Sequence, residues 1–191
     1  MGTTDRNVMP YGQTVTENIM PEIAERLAQE IDLDGRKKAI DAFNASHTTL
    51  KKGIALMPVT FGISFNAPVL NQAGALVHVY TDGSVHLNHG GTEMGQGLFT
   101  KVAQVVSSVF QVDIDHVKIS ATRTDKVPNT TPTAASAGSD LNGMAAFNAA
   151  TEIRERMAGV VAEHFDVPAD DIEFCQNRVY AGNESLSFAE A

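Results

Sequence analysis

The run Gly90-Gly91-Thr92-Glu93-Met94-Gly95-Gln96-Gly97 constrains this chain more than any other stretch. It lies between an alternating apolar pattern, Ala75 to His89, and a helical one, Leu98 to Phe110. A backbone this rich in glycine can take φ > 0 and lets a ligand approach closely. A helix begins where the run ends, so unpaired amide N–H groups and the positive end of the helix dipole face it. That environment suits phosphate or another anion. The run matches neither G-x-G-x-x-G nor the G-x-x-x-x-G-K-[ST] pattern, so a plain strand-to-helix turn also accounts for its glycines. A turn alone needs neither Glu93 nor Gln96, whose amide can both donate and accept.

Around this run the chain reads as α+β. Residues 1–16 are polar and turn-rich. Ile19, Ile23, Leu27 and Ile31 recur at helical spacing, and Pro21 confines the helix start to about Asn18. A second helix is predicted from Gly35 to Ser46, then β-rich sequence from Lys51 to Phe65. Thr81-Asp82-Gly83-Ser84 predicts a two-residue type I′ turn between strands 75–81 and 84–89. That register sets Leu76, His78, Tyr80, Val85, Leu87 and His89 on one face, with Val77, Val79, His86 and Asn88 on the other. A helix over 98–110, a strand over 116–121, a helix over 139–165 and one or two strands over 172–180 complete the reading. Thr122 to Gly138 is rich in Thr, Ser, Ala, Asn and Pro, a long irregular segment of the kind that is functional or disordered. Phe110-Gln111-Val112-Asp113 to Ile119 parallels Phe165-Asp166-Val167-Pro168 to Phe174, two helix–turn–strand units whose helices both follow a Gly- or Ser-rich loop. The expected fold is a mixed or antiparallel sheet with helices on one side, and the two helix starts are expected to converge.

Composition narrows the function. A formal net charge of −9 disfavours a nucleic-acid surface. No apolar run has the length of a membrane span and no signal-peptide pattern opens the chain, so the expected compartment is the cytoplasm. Cys175 is the single cysteine, and none of the six histidines forms a chelating pair, so no metal ligand is assigned. No G-x-S-x-G elbow surrounds Ser136 or Ser139, Glu93 reads as a loop hydrogen-bond partner, and no catalytic residue is assigned.

The segment Leu70 to Val85, the Gly90–Gly97 run, Val127-Pro128-Asn129 and Pro132-Thr133-Ala134-Ala135-Ser136 together resemble the molybdenum hydroxylases. The likeness runs from about Pro10 onward and is strongest to the molybdopterin-binding subunit of the xanthine dehydrogenase branch. It implies hydroxylation of a heteroaromatic or aldehyde carbon with water-derived oxygen at a molybdopterin-bound molybdenum. Electrons then leave through an iron–sulfur and FAD partner to NAD. By residue match it implies that Gly95 and Gln96 touch the pterin near the metal, and that Ala135, Ser136, Ala137 and Gly138 hold the pterin and its phosphate. The family's Gly-Gly-x-Phe-Gly segment, its substrate-binding Glu and Arg and its base glutamate have no counterpart here. One molybdopterin-binding-type domain over 1–191, part of a larger subunit, is therefore expected. It comprises a helical arm over 1–50, a sheet, glycine loop and helix over 51–121, and a second cofactor loop, long helix and strands over 122–191. The rest of that subunit is its expected partner, in an oligomeric enzyme. The expected substrate is xanthine or hypoxanthine, then an aldehyde, and the 191 residues alone are expected to be inert. A stand-alone module binding a phosphorylated small molecule remains the other reading of the same loops.

Overall fold

The computed structural model describes residues 4–59, 61–126 and 130–191. The chain divides into two compact units, Met1–Phe61 and Gly62–Ala191.

In the first unit, Val8 and Thr14 form an isolated bridge across a turn at Met9–Gly12. Helix α1 (Met20–Glu30) carries Pro21 in its first turn, where the missing N–H costs nothing. Asp32 caps α2 (Leu33–Ser46) by accepting the Gly35 N–H at 3.2 Å. Neither helix buries a residue fully. The β-rich pattern over 51–65 does not produce a strand among the described residues. Met57, Val59, Phe61 and Ile63 are exposed, and alternation without a pairing partner leaves a segment extended but unladdered.

The second unit holds the core. Strands β1 (Ala75–Val79), β2 (Val85–His89) and β3 (Val117–Ile119) form one mixed sheet, with β1–β2 antiparallel and β2–β3 parallel. Helix α3 (Leu98–Phe110) crosses from β2 towards β3, as a parallel pair requires. Helix α4 (Gly138–Phe165) leads to an antiparallel meander, β4 (Ile172–Cys175), β5 (Arg178–Ala181) and β6 (Glu184–Ser187). The fold is α+β as expected, with its strands divided between two small three-stranded sheets. Val77, Val85, Leu87, Val102, Val106, Phe110, Ala146, Ala150, Phe174 and Val179 share one buried cluster.

The hairpin turn differs from the sequence expectation. Tyr80 accepts the Gly83 N–H and donates its own N–H to the Ser84 carbonyl, both at 2.9 Å. Gly83 has φ +79 whereas Asp82 does not have positive φ, so the loop is a three-residue type I turn with a glycine bulge. Asp82 fixes it by accepting from the Ser84 N–H and Oγ at 2.9 and 2.6 Å. The pairing shifts by one residue, which turns β2 over. Ala75, Val77 and Val79 share a face with His89, Leu87 and Val85, while Leu76 and His78 share the other with Asn88 and His86.

The internal repeat is structural. Gln111 and Val112 both donate to the Ser107 carbonyl, and Asp166 and Val167 both donate to the Ala162 carbonyl. Gln111 and Asp166 take left-handed φ of 54° and 55°, and a 3-10 turn then leads into β3 or β4. Each helix thus ends on the same left-handed cap.

Candidate functional site

Two segments distant in sequence meet where α3 and α4 begin. Thr92 donates its N–H to Thr133 Oγ1 at 2.7 Å across 41 residues. A cleft of about 390 Å³ opens between them, lined by Met94, Gln96, Leu98 and Lys101 on one side and Thr133, Ala134, Ser136, Gly138 and Ser139 on the other. The predicted convergence of the two helix starts is therefore present in the fold.

The glycine loop is braced from within. Gln96 accepts the Met94 N–H at 2.6 Å and donates to the Thr92 carbonyl at 2.9 Å. Glu93 accepts from Gly95 at 2.8 Å and from Gly97 and Phe99 at 3.0 Å. These backbone N–H bonds, that of Phe99 foremost, hold the Glu93 carboxyl below its ordinary value. The start of α3 is thus filled by the protein's own anion, contrary to the expectation that its unpaired amides face a ligand. Gly95 and Gly97 have φ +97 and +75, conformations that other residues adopt only with strain.

The start of α4 differs. Ala137, the residue that precedes it in the capping position, makes no side-chain hydrogen bond. Leu141 is the first amide bonded back, to Ala137, and the amides of Gly138, Ser139 and Asp140 find no partner among the described residues. Ala135 and Ser136 both take left-handed φ, 54° and 55°, an uncommon pair for non-glycine residues. The Ala135 carbonyl accepts the Ser64 N–H at 3.0 Å, which ties the bend to the 62–65 segment.

The packing around Gly91, behind the glycine loop, is buried and polar, which sequence reasoning missed. His89, 1% exposed, accepts the Gly91 N–H on Nδ1 at 3.1 Å and packs edge-on to Phe99 at 5.2 Å. Its Nε2 is buried without a partner among the described residues. Asn142, 4% exposed, donates to the Gly138 carbonyl at 2.8 Å while its Oδ1 is similarly unpartnered. Thr122 donates to the Gly91 carbonyl at 2.7 Å. An Asn inside the Ala-rich helix, four residues after Gly138, was the available signal.

Burial pushes the His89 pKa down, with Glu93 opposing it. The unfolded chain therefore takes up this proton first. Stability is full above the ordinary histidine value of 6.5 and falls as pH drops through it, until the lower folded value is reached. Urea midpoints measured between pH 8 and pH 5 should decline across that window. His89→Asn, which cannot titrate, should flatten the decline, and an equal slope in both proteins would refute the assignment.

Among the described residues, no three His, Cys, Asp or Glu side chains are grouped to hold a metal, and no helix is long and apolar enough to cross a membrane. Of the residues expected to hold a cofactor, Gln96, Ser136 and Gly138 line the cleft. Gly95 lies in the braced loop, and Ala135 and Ala137 shape the backbone that enters α4. Val127-Pro128-Asn129 lies outside the described residues.

The profile of the molybdopterin cofactor-binding domain family matches residues 26–191. The chain belongs to that family. It is 47% identical over 164 residues, 86% of its length, to xanthine dehydrogenase of Dictyostelium discoideum. It is 51% identical over 78% of its length to nicotinate hydroxylase of Emericella nidulans, and 46% identical over 83% to xanthine dehydrogenase 1 of Arabidopsis thaliana. The chain spans only 11–12% of these relatives. The fold recurs in quinoline 2-oxidoreductase from Pseudomonas putida 86, with a TM-score of 0.72 at 18% identity over 98% of this chain and 25% of that one. Cu,Mo-CO dehydrogenase gives 0.69 at 22% identity over 100% and 26%.

The lining of the cleft suits such a cofactor. Hydroxyls of Thr133, Ser136 and Ser139, the Gln96 amide, the Lys101 ammonium and the α4 amides that lack a partner among the described residues are all donors. That set fits a phosphate and a heteroatom-rich ring, and it leaves the metal to the cofactor's own ligands.

Proposed function

We propose that this chain forms one wall of the molybdenum-cofactor site of a molybdenum hydroxylase acting on a nitrogen heteroaromatic ring, with xanthine or hypoxanthine as substrate. The observation that carries the reading is the donor-lined cleft at the uncapped start of α4. Xanthine and nicotinate, both nitrogen heteroaromatics, appear in the names of the relatives and support the substrate class. When bound, the cofactor supplies oxidative hydroxylation with oxygen from water, and electrons pass on to an iron–sulfur and flavin partner in the cytoplasm.

This chain's part is to bind and orient. The amides of Gly138 and Ser139 and the Ser139 hydroxyl receive the phosphate, helped by the α4 dipole. Ser136 and the second Nε2 hydrogen of Gln96 donate to the ring, while Gly95 lets the loop pass close beside it. Residues beyond these 191 supply the substrate contacts and the base. The 191-residue chain alone is expected to purify without molybdenum and without xanthine oxidation, because pockets that retain a cofactor enclose most of its surface.

Neopterin monophosphate titrated into the 15N-labelled chain is expected to shift the Gln96, Gly138 and Ser139 resonances. Shifts elsewhere, or none, would sink the reading; equal shifts with inorganic phosphate alone would favour a general phosphate module. In the assembled enzyme, Gln96→Ala should lower molybdenum content or turnover by about 1–3 kcal/mol of lost contact. Gly95→Val should do worse, because φ +97 strains any β-branched residue. Unaltered metal content and turnover in Gln96→Ala would exclude a direct role.

A further inference from the structure

We infer that Glu93 is a positioning residue for the cleft, clamping the glycine loop in the shape that carries Met94 and Gln96 onto the cleft wall. The inference rests on the reading of the cleft as a cofactor wall. Glu93 reaches along the loop: Oε1 accepts the amides of Gly95 and Gly97, and Oε2 accepts that of Phe99 in the first turn of α3. Three amides that would otherwise lack a partner are taken by one side chain. Two of them belong to glycines at φ +97 and +75, whose conformation the chain does not enforce by itself. Gln96 sits between those glycines and Met94 directly precedes Gly95, and both line the cleft, so their position is set by what holds Gly95 and Gly97.

The clamp needs the charged form. A carboxylate offers acceptors only, so all three N–H groups meet an oxygen. The same bonds hold the Glu93 carboxyl below its ordinary value, so the charged form persists to lower pH. Glu93→Gln has almost the same shape, but it replaces one oxygen with an NH2 that faces an N–H donor. A helix cap of purely structural value would lower overall stability without altering ligand affinity, which separates the two roles.

The test compares the wild-type 191-residue chain with Glu93→Gln and Glu93→Asp, well below their melting temperatures. In the wild type, the Gly95, Gly97 and Phe99 amide shifts should titrate together at a pH below the usual carboxylate range. Hydrogen exchange at those amides should accelerate at least tenfold in Glu93→Gln, with Val102 and Val106 unchanged. Affinity for neopterin monophosphate should fall at least tenfold in Glu93→Gln, and Glu93→Asp, charged but shorter, should recover part of it. Binding that persists undiminished in Glu93→Gln would overturn the inference while leaving the cleft reading intact. Absence of wild-type binding, with the exchange pattern as expected, would overturn the cleft reading and retain the clamp.

Discussion

Gly91→Ala is expected to cost about 1–3 kcal/mol, which for a chain of this size lowers the thermal midpoint by several degrees. A Cβ on Gly91 would lie 2.5 Å from Leu98 Cδ2 and 2.7 Å from Asn142 Nδ2. Neither neighbour yields easily. Leu98 is 1% exposed in the core, and Asn142 is fixed by its bond to the Gly138 carbonyl. The added methyl would force the loop away from α4 or break that bond, leaving a second buried polar group unpaired beside the Asn142 Oδ1. The loss should therefore reach the cleft as well as the melting curve, with reduced ligand-induced shifts at Gly138. A midpoint equal to wild type would show that the loop does not pack on α4 as described.

Phe110→Ala should have the larger effect on stability, about 3–5 kcal/mol. Phe110 is fully buried at the end of α3 and lies 5.3 Å from the Phe188 ring. It belongs to the same buried cluster as Val117 on the first sheet and Phe174 and Val179 on the second, so its removal opens a cavity between both. Phe165 ends α4 at the equivalent point of the repeat but is only partly buried. Phe165→Ala should consequently cost less, and equal losses in the two variants would contradict the packing. Denaturant unfolding of both proteins is the measurement.

Much of this was legible in the residues. The span of α3 and the start of α4 within one residue follow from periodicity and from the Gly- and Ser-rich entries. The convergence of the two loops followed from reading the helix–turn–strand repeat as one unit used twice. The register of β2 did not follow, because Thr-Asp-Gly-Ser fits both a two-residue turn and a three-residue turn with a bulge. The Tyr80 backbone bonds to Gly83 and Ser84 show the three-residue turn, and the Asp82 hydrogen bonds to Ser84 favour it. A true left-handed pair in a hairpin lies instead at Gln176-Asn177, φ 50° and 63°, where no glycine marks it. Asn177 docks there on the first repeat, accepting the Asp113 N–H at 2.7 Å. The buried polar packing around Gly91 stayed hidden because Asn142 and His89 act through tertiary contacts that no local pattern encodes. Glu93 read correctly as a loop partner, but its grip on three amides depends on side-chain reach rather than spacing.

The separation of the two cleft segments has a bearing on how the protein acquires its shape. The meander from Ile172 to Ser187 closes only short loops, whereas Thr92 must find Thr133 across 41 residues. Short closures lose less chain entropy and form sooner. The C-terminal meander should thus nucleate while the ligand-facing segments are still apart, and the cleft should be the last feature to assemble. Ligand added during refolding would then leave the early phases unchanged and alter only the final one, so competence to bind marks the end of folding rather than guiding it.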